Sequence, residues 1–278
     1  MIVREPALPV DPRLPGEPTL LEVGSTRVWL ARRGVLVWLP TRLLALRIGA
    51  RGFGLRDRSA SAIVVAVLLS FGWFLVNKTD LPGKGAFLAV SFAVVQVLRW
   101  RRVQSRERLA ESLTGAGTPP SPRAAANQVG WWYLSSVAVT FVGGAVLCAA
   151  SFLTEPPSSG GHWYPPSAEI ALHTFALAVG AGATALVLGK ALRSPVIAED
   201  TASRLIDEAL RAEDVYRYTA CAWYALFAMP VFVVGWEPPA LLERFAWAYL
   251  ATVAGMQLIG WLLVRHRYRR LPPGFYGR

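Results

Sequence analysis

Glu169 and His173 stand four residues apart, which on a helix puts a carboxylate and an imidazole on one face. Such a pair suits two chemistries, holding a divalent cation or relaying a proton. Asp80, Glu155, His162, Glu237 and Glu243 fall in neighbouring segments and could supply a third group. Two side chains do not define a metal site. The plainer reading is an ion pair at a membrane edge, and no metal or cofactor is expected. Neither HExxH, GxSxG nor a Walker A pattern occurs, and the histidines are limited to His162, His173 and His266. The sequence offers no catalytic residue.

A second concentration of charge runs from Arg193 to Arg217, with the carboxylates Glu199, Asp200, Asp207, Glu208, Glu213 and Asp214. Pro195 bars a simple continuation of the preceding helix, Asp200 or Thr201 can cap a new one, and Ala202, Leu205, Ile206 and Ala209 make one apolar stripe. The spacing predicts an amphipathic helix. Asp200 with Arg204, Asp207 with Arg211, and Glu213 with Arg217 are i, i+4 pairs with the acid first, the favoured order on a solvated helix surface. The sharper alternative is docking of a cytoplasmic protein partner on Leu205, Ile206 and Ala209. The run Ala198-Glu199-Asp200, followed by Asp207-Glu208-Ala209-Leu210-Arg211, resembles a stretch found in uncharacterised multi-pass membrane proteins of actinobacteria. That resemblance covers about twenty residues and the general layout, and implies neither activity nor site residues.

The elements that must carry these groups are apolar. Of 278 residues 54% are hydrophobic and 17% charged, against about 25% charged in soluble domains. A bilayer core takes roughly 20 apolar residues in helical form. Six stretches qualify: about 59–77, 85–100, 131–153, 170–192, 216–236 and 242–264. Arginines cluster before the first (Arg42, Arg47, Arg51, Arg56, Arg58), after the second (Arg99, Arg101, Arg102, Arg106, Arg108) and after the last (Arg265, Arg267, Arg269, Arg270). The alternate loops hold Lys78, Lys84 and Arg244. Because basic segments stay inside, the expected fold is an all-α membrane bundle of six helices in three in-out-in hairpins, with both termini cytoplasmic in a bacterial plasma membrane. Trp100, Trp131, Trp132, Tyr133, Tyr216, Trp236 and Trp261 lie near the expected helix ends, where amphipathic rings settle.

The net charge of +11 is better matched to anionic lipid headgroups than to nucleic acid. Cys148 and Cys221 lie in apolar runs and suggest no disulfide framework. No removable leader pattern is seen near the start. Residues 1–58 read as a cytoplasmic arm, Pro-rich and unstructured at first. Arg27–Ala31 and Val35–Leu39 then flank Arg32-Arg33-Gly34 as a small β-hairpin, with an interfacial segment over Val35–Leu46 as the alternative. Residues 59–264 form the bundle and 265–278 a basic tail. After the second span a helix is expected to continue from Arg101 to Leu113, until the linker at 115–122 stops it.

Within the spans, Gln96, His173 and Gln257 are the main polar side chains, and no carboxylate sits at mid-depth, which counts against an ion-coupled pump. Ala176, Gly180 and Thr184, then Ala251 and Gly255, recur at every fourth position, and Gly143-Gly144 adds another small pair, a pattern that lets helix backbones approach. Pro230 is expected to kink its helix. The composite expectation is a non-catalytic scaffold or membrane subunit of a complex. The alternatives are a small-solute transporter or channel and an outward-facing membrane enzyme.

Overall fold

A computed structural model describes residues 16–51, 84–114, 117–154, 166–198, 200–229 and 239–277. The first expected span, Pro230, and the acidic or imidazole groups Asp80, Glu155, His162, Glu199 and Glu237 lie outside them. Among the described residues every regular element is helical: α1 (Leu20–Ala31), α2 (Arg42–Gly49), α3 (Lys84–Thr114), α4 (Pro122–Val129), α5 (Trp131–Thr154), α6 (Pro166–Arg193), α7 (Thr201–Tyr218), α8 (Ala222–Met229) and α9 (Ala240–Arg267).

Three of these are long and apolar enough to cross a membrane: α5, the Ser167–Arg193 part of α6, and α9. Much of their surface is apolar and turned outward, as at Val142, Val146 and Leu153 on α5, Phe175 on α6 and Leu262 on α9. A lipid environment accommodates that surface and water does not. α3 runs along α6, α5 packs on α6 and α9, and α8 is wedged among α3, α6 and α9. The interior is tightened where small residues meet rings. Gly180 of α6 lies under Tyr224 of α8, and Gly143 and Gly144 of α5 lie against Tyr249 of α9. Residues 139–143 of α5 form a π turn, and the Tyr249 hydroxyl donates to the Thr140 carbonyl within it at 2.6 Å. Ala176 and Thr184 are also buried on the Gly180 face. At Gly255, by contrast, a Cβ would meet no atom of the described residues within 4 Å.

At one end of the bundle α1, α2, α4, α7, the last turns of α3 and the segment after α9 form a second layer, here called the cap. This is where the sequence reading needs correction. The expected β-hairpin is absent: Arg27–Ala31 is the end of α1, Arg32 to Gly34 make the turn, with Gly34 at φ +81°, and a helix rather than a ribbon precedes it. A capping box decides the matter. The Thr19 hydroxyl accepts from the Glu22 N–H at 3.3 Å, and the Glu22 carboxylate accepts from the Thr19 N–H at 2.7 Å. Over Val35–Leu46, the alternative, Leu36 and Trp38 are exposed, whereas Thr41 caps α2, whose residues Leu43 to Gly49 are all buried. The helix expected at Arg101–Leu113 is present as the continuation of α3, and Ser121 and Pro122 start α4 after the linker.

The expected helix over 216–236 is not continuous. Tyr216 to Tyr218 close α7, the backbone breaks at Thr219 (φ −131°, ψ 46°), and α8 starts at Ala222. A break beside the bundle core needs its polar groups satisfied. Neighbouring helices supply the partners: Tyr133 donates to the Thr219 carbonyl at 2.8 Å, and Gln257 accepts from the Ala222 N–H at 3.2 Å while donating to Cys221 Sγ at 2.8 Å.

A side chain at Gly180 would run into the Tyr224 ring. Gly180→Leu is expected to lower stability by about 1–3 kcal/mol in denaturant titrations in micelles, whereas Gly189→Ala, which meets open space, should be neutral or mildly stabilising.

Candidate functional site

Glu169 and His173 both lie near the start of α6, His173 fully buried and Glu169 partly so. Among the described residues no group of three His, Cys, Asp or Glu side chains converges there or anywhere else. Glu243 is in the first turn of α9, where a carboxylate complements the helix dipole.

The charged chemistry gathers in the cap instead. α2 presents Arg47 and the turn that follows it presents Arg51, α3 presents Glu107, and α7 presents Asp207, Arg211 and Asp214 on the face turned toward them. Arg47, Arg51, Asp207, Arg211 and Asp214 are each at most 5% exposed and Glu107 is 15% exposed. Arg51 grips Asp214 with two bonds, Nε to Oδ1 at 2.7 Å and Nη2 to Oδ2 at 2.5 Å, and its Nη2 also donates to Glu107 at 2.8 Å. Arg47 donates to Asp207 and, at 3.3 Å, to Glu107. Arg211 Nε donates to the other Asp207 oxygen at 2.7 Å. Three guanidiniums meet three carboxylates, so the formal charge is zero.

The remaining guanidinium donors are used on backbone. Arg211 donates to the carbonyls of Ser194 at 2.6 Å and Pro195 at 2.5 Å, and Arg47 to Ile197 at 2.7 Å. These carbonyls follow the end of α6, where helical partners have run out. The loop that Pro195 forces is therefore pinned by the same cations that bind α7. Burial pushes the Glu107 carboxyl up, and Arg51 and Arg47 outweigh it, holding the group at about 2. For Arg51, burial works against the charge but Asp214 and Glu107 prevail, keeping the guanidinium protonated well beyond its ordinary range.

The docking and solvated-helix readings of α7 both give way here. Ile206 and Ala209 are completely buried and Leu205 partly so, packed with Trp29, Leu30, Leu44, Ile48 and Tyr276. The chain itself covers the stripe offered for a partner. Of the three expected i, i+4 pairs, Asp207–Arg211 forms, but buried. Asp200 caps α7 by accepting from the Ser203 N–H, Arg204 reaches Glu208 at 3.9 Å, and Glu213 binds Arg33 and accepts from Trp29 Nε1 at 3.1 Å. Arg217 donates to the Arg51 carbonyl. Sequence reading took Arg47 and Arg51 as topology markers and passed over Glu107. The available signal was the placing of Arg47 inside the apolar run 43–48 and of Arg51 four residues further on, with Asp207 and Asp214 two turns apart on α7.

No protein-family model, curated protein or solved structure matches this chain.

Asp207→Asn leaves Arg47 and Arg211 facing too little negative charge and is expected to cost about 3–5 kcal/mol of cap stability, read from the loss of helical CD and of protection against proteolysis over residues 16–51. The Glu107 contribution has a definite pH window. Its carboxyl is held below the value it takes in the unfolded chain, so its stabilisation is full above about pH 4.5 and is lost as pH falls toward 2. Glu107→Gln should flatten the stability slope between those limits by about one proton; an unchanged slope would show that Glu107 is not held by the two arginines.

Proposed function

We propose that the chain is a non-catalytic integral membrane protein of a bacterial cytoplasmic membrane, a scaffold or membrane subunit whose cap is the working end on the cytoplasmic side. The observation that carries this reading is the network of three arginines and three carboxylates: it spends the cap's charged groups on rigidity, and it holds residues 42–51, α3 and α7 as one body. A rigid platform fixed to membrane helices is what a scaffold requires, whereas a catalytic site needs groups left open to substrate.

We further read the chain as crossing six times with both termini in the cytoplasm. Pro40 and Gly277 form an antiparallel bridge, and the Thr41 N–H donates to the Tyr276 carbonyl at 3.1 Å, so the two terminal segments share the cap. α3 enters that layer through Glu107, and α7 lies within it. Each excursion between visits, by 52–83 with α3, by α5 with α6, and by α8 with α9, then involves an even number of crossings. Gly85 at the start of α3 abuts the Phe227 carbonyl near the end of α8, as expected if both sit at the far side. The arginine-rich segments fall on the cap side, which supports a cytoplasmic cap.

A small-solute transporter is the second reading. It draws on the buried pair Tyr224 and Gln96, whose hydroxyl and amide oxygen meet at 2.8 Å between α8 and α3.

The test is gentle purification from the native membrane, mass measurement and cross-linking, with Asp207→Asn as the cap-weakened comparison. A scaffold yields a stoichiometric second protein cross-linked near exposed cap residues such as Ser112 and Arg123, and loses it in the variant. Insertion is checked separately: a cysteine at Ser112 should be shielded from impermeant maleimide in intact spheroplasts and one at Thr154 should react, Cys148 and Cys221 being buried. A homomer in both preparations, with solute flux in liposomes, would replace the scaffold by the transporter.

A further inference from the structure

Between the turn after α1, the end of α7 and the last turns of α9 lies a cleft of about 970 Å³. Among the described residues, Arg32, Arg33, Arg217, Arg265 and Arg269 line it against a single carboxylate, Glu213, which Arg33 already holds. His266 lies among them. The excess is four positive charges, counting the imidazole as neutral.

The arginines are posed by aromatic rings. The Arg33 guanidinium stacks 3.6 Å over Trp29, and that of Arg265 lies 5.1 Å over Trp261. Burial, and then the proximity of Arg32 and Arg265, disfavour the charge on Arg33 against the pull of Glu213. One turn before Arg265 on α9 the lining changes character. Trp261 and Leu262 continue the exposed apolar surface of α9, with Leu258 56% and Leu263 53% exposed. Guanidinium forks match phosphate oxygens. A ligand that fills both halves carries a phosphate at one end and hydrocarbon at the other.

We propose that this cleft is a binding site for the phosphate of an anionic phospholipid, seated among Arg33, Arg265 and Arg269 with its acyl chains along Trp261 and Leu262. The inference rests on the reading of α9 as a membrane span and not on the scaffold role, so a protein found without a partner would leave it standing. The occupant is a lipid rather than free phosphate because the apolar wall opens onto the surface that faces hydrocarbon. The site would make the cap responsive to the lipid composition of its own leaflet.

The experiment uses the full chain, delipidated in neutral detergent and titrated with phosphatidylglycerol, phosphatidylcholine or inorganic phosphate while tryptophan fluorescence and thermal stability are followed. Arg265→Gln with Arg269→Gln removes two exposed charges from the cleft. Arg101→Gln with Arg102→Gln removes the same charge from exposed positions on α3. Phosphatidylglycerol should bind at least ten times more tightly than phosphatidylcholine. The cleft variant should lose about 10- to 30-fold in that affinity, at roughly one effective decade or less per arginine, while the α3 variant stays within about twofold. Equal binding of the two lipids, or equal losses in both variants, would overturn the site in favour of diffuse surface charge. Competition by millimolar inorganic phosphate would overturn the lipid assignment in favour of a soluble anion.

Discussion

Removing six charges from water is the most costly act in this fold, and the cap is arranged around making it tolerable. An isolated buried ion is penalised by several kcal/mol, and the attraction of a partner compensates only when every lone pair and proton is met. Arg51 is bound at three edges and Arg211 reaches both a carboxylate and loop carbonyls. The partners come from α2, α3 and α7, with the loop after α6 supplying carbonyls. None of these elements can shift alone without stranding a charge, which makes the network a source of registry as much as of stability.

The apolar helices follow a different physics. In a bilayer such helices gain little from hiding apolar surface, since the surroundings are themselves apolar, and rely on close approach and on a few satisfied polar contacts. Gly180 beneath Tyr224 and Gly143 with Gly144 beside Tyr249 provide the first. Gln257, Tyr133 and Tyr249 provide the second, each meeting backbone where α8 begins, where α7 ends, or within the π turn of α5.

The legibility of the sequence divides along the same line. The long apolar helices α5, α6 and α9 could be read within a few residues, because length and hydropathy alone determine whether a segment suits a bilayer. The continuation of α3 and the cap at Asp200 were also readable from local signals. The cap's interior was not. Periodicity showed that α7 has an apolar stripe but could not reveal that Trp29, Leu44 and Tyr276, distant in sequence, cover it. Charged residues read as exposed by default, so Asp207, Asp214, Arg47 and Arg51 were assigned to water or to topology when each is buried. The β-hairpin failed for a related reason: Val28, Trp29 and Leu30 suit a strand or a helix equally, and the choice fell to the Thr19–Glu22 box upstream. Glu169 and His173 share the helix that spacing implied, but the flanking groups considered with them lie outside the described residues or, for Glu243, on another helix.

The bridge between Pro40 and Gly277 sets an order of events during synthesis. Arg47 and Arg51 emerge 160 and 163 residues ahead of Asp207 and Asp214, and Gly277, the partner of Pro40, emerges later still. Residues 42–51 must therefore wait, hydrated and uncommitted, while the apolar helices α5 and α6 are made. A chain that stalls before α7 leaves both arginines without Asp207 and Asp214, so the cap cannot close until α3, α5 and α6 have all been made.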